Sequence, residues 1–353
     1  MTFSGTLIRP PLANVSMVRA SVNRYRIAFQ LLQAAFHVSR GRKLRKLVRG
    51  DKVVVPLVSP KLISAMGEGD GAAAFPAVES APHRVLRRDE GEPGAPVCLF
   101  VSFAPDGRIW PHTRAYLQAL RRSGLHTVLI AATERPDLRL DDPGPEAADA
   151  VIVKRNGGYD FACWALALKL MPELWAAPAL YFVNDSVYGP LSGFNAMMAR
   201  IAASPADVIG LTESDDIAYH LQSYFLVLKG AALASPAIRG FWAGVREIES
   251  KHRVVKEYEV PLAGVALSAG LRVEAMFPMA APGAPRINPT LFLWRELIEA
   301  GFPFMKAHLL RENLSGRDLT GWRELVARHG GDVEAIALHL GGVSPRAPGL
   351  SAG

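Results

Sequence analysis

Between residues 97 and 211 short apolar runs alternate with helical signals, and this alternation restricts the fold more than any other property of the chain. Val97-Cys98-Leu99-Phe100-Val101-Ser102, Thr127-Val128-Leu129-Ile130-Ala131, Ala150-Val151-Ile152-Val153, Leu180 to Val183 and Val208-Ile209-Gly210-Leu211 read as strands. Thr113 to Arg122, Asp160 to Leu170 and Leu191 to Ala203 read as the helices between them, the first stopped by Gly124. Strands that are apolar on both sides predict a mostly parallel central sheet covered by helices on both faces, an α/β fold. Beyond 211 the pattern loosens. Tyr224 to Leu228 reads as one more strand, and 238–248, 261–268, 291–300, 319–328 and 333–340 as helices that make a helical C-terminal end.

The charge is distributed unevenly. The first 52 residues hold eleven basic residues against one acid, Asp51, which exceeds the net charge of +7 for all 353 residues and leaves the rest slightly acidic. The expected organisation is a basic, partly helical arm over 1–63, a linker rich in Gly, Ala and Pro over 64–96, and one domain over 97–345. Within the arm, Tyr25 to Phe36 has the pattern of an amphipathic helix followed by clustered Lys and Arg. That layout suits an anionic membrane surface, at about 1 kcal/mol per basic residue near the surface. Nucleic acid is not expected, because the aromatic interleaving of nucleic-acid modules is missing. Only Cys98 and Cys163 occur, one in a predicted strand and one in a predicted helix, which excludes a disulfide framework and favours a reducing compartment. No run reaches the ~18 apolar residues of a membrane span, and no signal-peptide core is present, so a cytoplasmic, peripheral location is expected.

Ligands of open α/β sheets sit outside the carboxyl ends of the strands, so the polar residues there carry the functional expectation. Asn184-Asp185-Ser186 closes the run Ala179 to Val183; Asp185 at that edge would hold a metal ion or, alternatively, cap the next helix. Arg155-Asn156-Gly157-Gly158-Tyr159-Asp160 joins the third strand to its helix. Two glycines let backbone approach a ligand, a helix N-terminus favours phosphate and Arg155 adds a bidentate contact, while a plain turn capped by Asp160 would use the same glycines. Glu213, Asp215 and Asp216 follow the fifth strand as candidates for metal binding or base work. His220, near Gln222, is a candidate metal ligand or a structural histidine. Glu257-Tyr258-Glu259 precedes a helix, where a carboxylate complements the helix dipole or serves as a base.

Taken in order, these stretches resemble the rhamnan synthesis protein F family of bacterial polysaccharide biosynthesis. The resemblance rests on Arg155 to Phe161, Tyr181 to Pro190, Gly210-Leu211-Thr212, His220 to Phe225, Phe241-Trp242, Glu257 to Val260, Asn288-Pro289-Thr290 and Gly301 to Lys306. It covers about residues 97–315 and leaves out the arm and linker. It implies a glycosyltransferase of the A-type (GT-A) fold, with a single nucleotide-binding domain and a nucleotide-sugar donor, deoxythymidine-diphospho-rhamnose (dTDP-rhamnose). It further implies a saccharide or lipid-linked saccharide acceptor for cell-surface polysaccharide or lipopolysaccharide. Carried onto this chain, Asp185 takes the place of the metal-binding carboxylate for Mg²⁺ or Mn²⁺, with Asn184 where a first Asp is usual. Glu259 resembles the base, with Asp215 or Asp216 as fallback. Ser102 and Phe103 would face the nucleoside, Arg155, Asn156, Gly157 and Gly158 would hold the diphosphate, and Asp160 and Asn184 would also line the donor site. Two rivals stand beside this reading. A nucleotidyltransferase would need a better Gly-rich loop than Ser102 to Arg108. A non-catalytic saccharide-binding or scaffold protein would stack sugars on Tyr159, Tyr188, Tyr224, Trp242 or Trp294.

Overall fold

The computed structural model describes residues 75–342 apart from 90, 93, 216 and 279–287. The basic arm and the first part of the expected linker therefore lie outside the described residues. The centre is an eight-stranded sheet in the order β1-β4-β3-β2-β5-β10-β7-β11. Its strands are β1 (His83–Arg87), β2 (Val97–Phe103), β3 (His126–Thr133), β4 (Ala150–Arg155), β5 (Ala179–Asn184), β7 (Val208–Gly210), β10 (Phe225–Lys229) and β11 (Val273–Ala275). The ladders β4–β3, β3–β2, β2–β5 and β7–β11 are parallel. β1 pairs antiparallel with β4, and β10 runs antiparallel between β5 and β7. Six of the eight strands thus point one way, and the carboxyl ends of β2, β3, β4, β5 and β7 share one edge.

The side-chain alternation of β2 shows why the sheet is covered twice. Val97, Leu99 and Val101 pack with Phe161 to Leu168 of α2 (Tyr159–Leu170). Cys98 and Phe100 point the other way, onto Tyr116, Leu117 and Leu120 of α1 (Pro111–Arg122) and onto Phe194, Met197 and Ile201 of α3 (Phe194–Ala203). α2 is apolar nearly all round because it is buried on all sides, and Trp164 Nε1 donates to Leu99 O at 2.9 Å. Cys98 and Cys163 are both free and buried, as core residues in separate clusters.

A third cluster lies at the C-terminal end. Tyr188 and Leu191 meet Trp294, Ile298, Met305, Leu309, Leu325, Val326 and Ile336. β12 (Met305–Lys306) ties this end back by pairing with β6 (Val187–Tyr188). Its last helix, α12 (Val333–Gly342), follows α11 (Trp322–Arg328).

Several expectations differ from the structure; the helix expected over 238–248, for one, spans Pro236–Ala243. Residues 83–87, inside the stretch read as linker, form β1. This strand covers the sheet edge with a half-exposed pattern, Val85 and Leu86 being 45% and 40% exposed, so no hydrophobic period marks it. Main-chain pairing and arginines hold it instead: Arg87 donates to Ala148 O at 2.8 Å and to Asp142 Oδ2 at 2.7 Å. The helix expected from Pro261 begins earlier. α6 (Lys251–Val254) runs through a π turn, Val255–Glu259, directly into α7 (Val260–Ser268). Proline removes a backbone donor and crowds the preceding turn, and the wider turn relieves both.

The C-terminal cluster also buries two histidines. His112 of α1 lies 4.4 Å from the ring of His339, whose Nδ1 is 2.8 Å from Tyr188 Oη. Burial, then the neighbouring His339, pushes His112 down to about 3, and its Nδ1 has no hydrogen-bond partner among the described residues. Burial, then Arg311, pushes His339 down to about 4. Both stay neutral in the fold while an unfolded histidine takes a proton near pH 6.5. The unfolded state therefore binds more protons below that pH, and stability falls as pH drops from about 6.5 toward 4. We expect His112→Phe to make the decline of melting temperature over that window shallower; an unchanged slope would count against this origin.

Candidate active site

At the carboxyl edge, β5 ends in Asn184-Asp185-Ser186, whose backbone is fixed before its side chains act. Asp185 N donates to Val101 O at 3.1 Å and Asn184 N to Tyr224 O at 3.2 Å. The carboxylate of Asp185 then accepts Ser102 Oγ at 2.6 Å and Phe103 N at 3.1 Å, both on one oxygen. Burial outweighs these bonds and lifts Asp185 to about 7, with Asp160 nearby adding to the rise. Ser102, expected at the nucleoside, is buried and directs its hydroxyl at Asp185, because the alternation of β2 turns it toward β5.

Asn184 connects the turn to the start of α2. Its Nδ2 donates to Asp160 Oδ2 at 2.8 Å, and its Oδ1 accepts Ser186 N at 3.1 Å and Ser186 Oγ at 2.5 Å. Asp160 is raised by burial, against the opposing pull of Lys251 and Lys306 and with Glu259 adding to the rise. Glu259 reaches the same region from the π turn, and its Oε1 accepts Ser223 N at 3.0 Å. Asp160, Asn184 and Asp185 therefore stand together, with Glu259 acting on Asp160.

The sequence reading did not single out Lys306. β12 pairs Lys306 with Val187, and Ala307 N donates to Ser186 O at 2.9 Å, so the lysine is carried to the Asp185 turn. Its Nζ donates to Ser186 Oγ at 3.0 Å and lies 4.6 Å from the centre of the Tyr224 ring. Burial pulls Lys306 down to about 8, although Glu259 and Asp160 favour its charge. The available signal was its place at the end of the Gly301 to Lys306 stretch, with nothing to indicate which distant turn it would meet.

The loop expected at the diphosphate has its glycines against protein. Gly157 and Gly158 are buried, and what approaches them is protein. A Cβ on Gly157 would meet Glu247 Oε2 at 2.5 Å, and one on Gly158 would strike Ala162 Cβ. Gly158 has φ +66°, a left-handed conformation that glycine tolerates. Beneath the loop, Lys154 Nζ donates to Gly157 O at 2.8 Å and lies 2.7 Å from Glu247 Oε1. This pair is almost wholly buried, and the 2.7 Å contact between opposite charges is its main compensation. Burial raises Glu247 while Lys154 lowers it. Arg155 is exposed, and Asn156 Nδ2 bonds Glu134 Oε1 at 2.8 Å.

The remaining candidates fall elsewhere or outside. His220 is buried in β9 (His220–Leu221), which pairs with β8 (Glu213–Ser214), and its Nδ1 contacts Ala218 O at 2.8 Å. Asp215 is exposed, and Asp216 lies outside the described residues. Tyr188, Tyr224, Trp242 and Trp294 are buried in the core; Trp242 stacks on Phe182 at 4.5 Å. A divalent cation on Asp185 would need further donors beside it. Among the described residues no three His, Cys, Asp or Glu side chains stand together as a metal site, and the Asp185 turn carries an ammonium instead. One carboxylate turn beside an ammonium is a poor donor set for a cation held by the protein alone, and no step is routed through one.

The buried pair under the loop gives a stability test. Lys154→Met should cost about 3–5 kcal/mol by leaving Glu247 buried and unpaired. The double variant Lys154→Met with Glu247→Leu should recover most of that loss in urea unfolding; a double variant as weak as the single one would refute the pairing account.

Comparison with known proteins finds a family and two distant relatives. The family model described as Rhamnan synthesis protein F matches residues 137–332. Virulence protein VirA of Vibrio anguillarum is 27% identical over 237 residues, covering 58% of this chain and 75% of that protein. The uncharacterized protein y4gN of Sinorhizobium fredii is 24% identical over 154 residues, 41% of this chain and 39% of its own.

Proposed function

The chain belongs to the rhamnan synthesis protein F family, a family of polysaccharide biosynthesis, and from that premise we propose that it is a glycosyltransferase of GT-A type. The proposed donor is a nucleotide-sugar, dTDP-rhamnose, and the acceptor a hydroxyl of a growing or lipid-linked saccharide of the cell surface. The observation that carries the reading is the meeting of Asp160, Asn184, Asp185 and Lys306 at the carboxyl edge of the sheet, with Glu259 acting on Asp160 and Lys306.

In this reading the bond between the sugar's anomeric carbon and the diphosphate oxygen breaks, and its electron pair leaves with the nucleoside diphosphate. The bond to the acceptor oxygen forms, and the acceptor proton passes to Glu259. The Ser223 N–H fixes one Glu259 oxygen at 3.0 Å and leaves the other for that proton. Asp185, held by Ser102 and Phe103, orients the turn and the sugar's hydroxyl groups, and Asp160 is locked by Asn184. No helix among the described residues is long and apolar enough to cross a membrane. Residues 1–52 would bring the enzyme to an anionic membrane surface by charge, where lipid-linked acceptors lie.

Transfer from dTDP-rhamnose to a saccharide acceptor, followed as released dTDP, tests the reading. Glu259→Gln should lower turnover by about 10²–10⁴-fold while leaving dTDP affinity intact. Undiminished turnover in that variant would remove Glu259 from the reaction. Deleting residues 1–52 should abolish co-flotation with phosphatidylserine vesicles, and retained flotation would end the proposed role of the arm.

A further inference from the structure

Lys306 carries a charge that the protein leaves largely unanswered. An ammonium has three N–H donors. Among the described residues this one makes a single hydrogen bond, to Ser186 Oγ at 3.0 Å, and its other close contact is the face of Tyr224 at 4.6 Å. No described carboxylate stands within ion-pair distance of it, although Asp160 and Glu259 both act on it electrostatically. A half-buried cation without an ion partner is costly, and an anion supplied from outside would offset that cost.

The surrounding acids narrow what that anion is. Asp160, Asp185 and Glu259 would repel a diphosphate unless positive charge stands between them and it. The positive groups that act on Asp160 are Lys251 and Lys306. Lys251 is exposed at the start of α6, whereas Lys306 is held at the turn itself by the β6–β12 ladder. An ammonium beside a serine hydroxyl, with two donors to spare, suits phosphate oxygens, which lysine binds as a point charge.

We propose that Lys306 is the cation that receives the diphosphate of a nucleoside-diphosphate donor, with Ser186 beside it, at the turn where a divalent metal was expected. The inference rests on the transferase reading and adds to it that diphosphate binding needs no metal ion. Lys306 neutralises the donor's diphosphate in the ground state and holds the charge that grows as the sugar departs.

The test measures dTDP binding to the full chain by calorimetry, in EDTA and in Mn²⁺, with thymidine as the phosphate-free control. The wild type should bind dTDP in EDTA with little change on adding Mn²⁺. Lys306→Met should weaken dTDP by about 10- to 100-fold and leave thymidine unaffected, with Lys306→Arg retaining most of the affinity. If the wild type needs Mn²⁺ to bind, or if Lys306→Met binds dTDP as the wild type does, the inference falls and the transferase reading stands. If neither dTDP, UDP nor GDP binds under either condition, the transferase reading itself falls. Should Lys306→Met fail to fold, Lys306→Gln takes its place in the same measurement, and dTDP binding as tight as the wild type's in that variant overturns the inference.

Discussion

Burial of the four adjacent parallel strands on both faces is the constraint from which the rest of the structure follows. A strand such as β2 has no wet face, so every side chain from Val97 to Val101 is committed to one core or the other. Polar groups are left at the strand ends, where the backbone leaves the sheet. Ser102, Arg155 and Asn184 each stand at or beside such an end, and the parallel direction of β2, β4 and β5 places all three on one edge. The site is therefore a consequence of the core. It is the place where residues of separate segments can be polar together without leaving a donor or acceptor buried in an apolar layer.

Lys154 is the exception that supports this reasoning. It sits inside β4, fully buried, where the pattern calls for an apolar residue. It is tolerated because Glu247 answers its charge and Gly157 O accepts a hydrogen bond from it. The two glycines make room for that arrangement. The loop that leads to Asp160 is thus held from below by a buried ion pair and from the side by Asn184, and the direction in which Asp160 points is fixed from two independent segments.

The core strands and the acid at the end of β5 were legible in the sequence because both are local signals. An apolar run ending in Asn-Asp-Ser states its own burial and its own edge. The structure places β2, β3, β4, β5 and α2 within one or two residues of those readings. β1 was not legible, because an edge strand with exposed Val85 and Leu86 has no period to detect. The glycine pair was legible as a crowded backbone, but a glycine does not say what crowds it, and here it is Glu247 and Ala162. Pro261 was visible too, yet a proline opening a helix and a proline following a π turn look alike in a sequence. Lys306 was illegible for a different reason. Its partner Ser186 is 120 residues away, and the contact depends on a two-residue ladder that no periodicity announces.

That distance bears on how the site is completed. The acids of the rim come from the middle of the chain and are set by the sheet and by α2. Lys306 comes with the C-terminal end, whose own apolar cluster rests on Tyr188 and Leu191, the residues that follow the Asp185 turn. The same short stretch that carries the acidic turn thus continues into the docking surface for the segment that brings the ammonium. Packing of Trp294, Met305 and Val326 against that surface decides whether Lys306 reaches Ser186, since Lys306 adjoins Met305 and its backbone is tied to the turn by the β6 ladder and the bond from Ala307. The helical end is in this sense part of the site. Its buried apolar area offsets the cost of holding a charged group half-buried at the edge of the sheet, and the charge balance of the rim is only as secure as that packing.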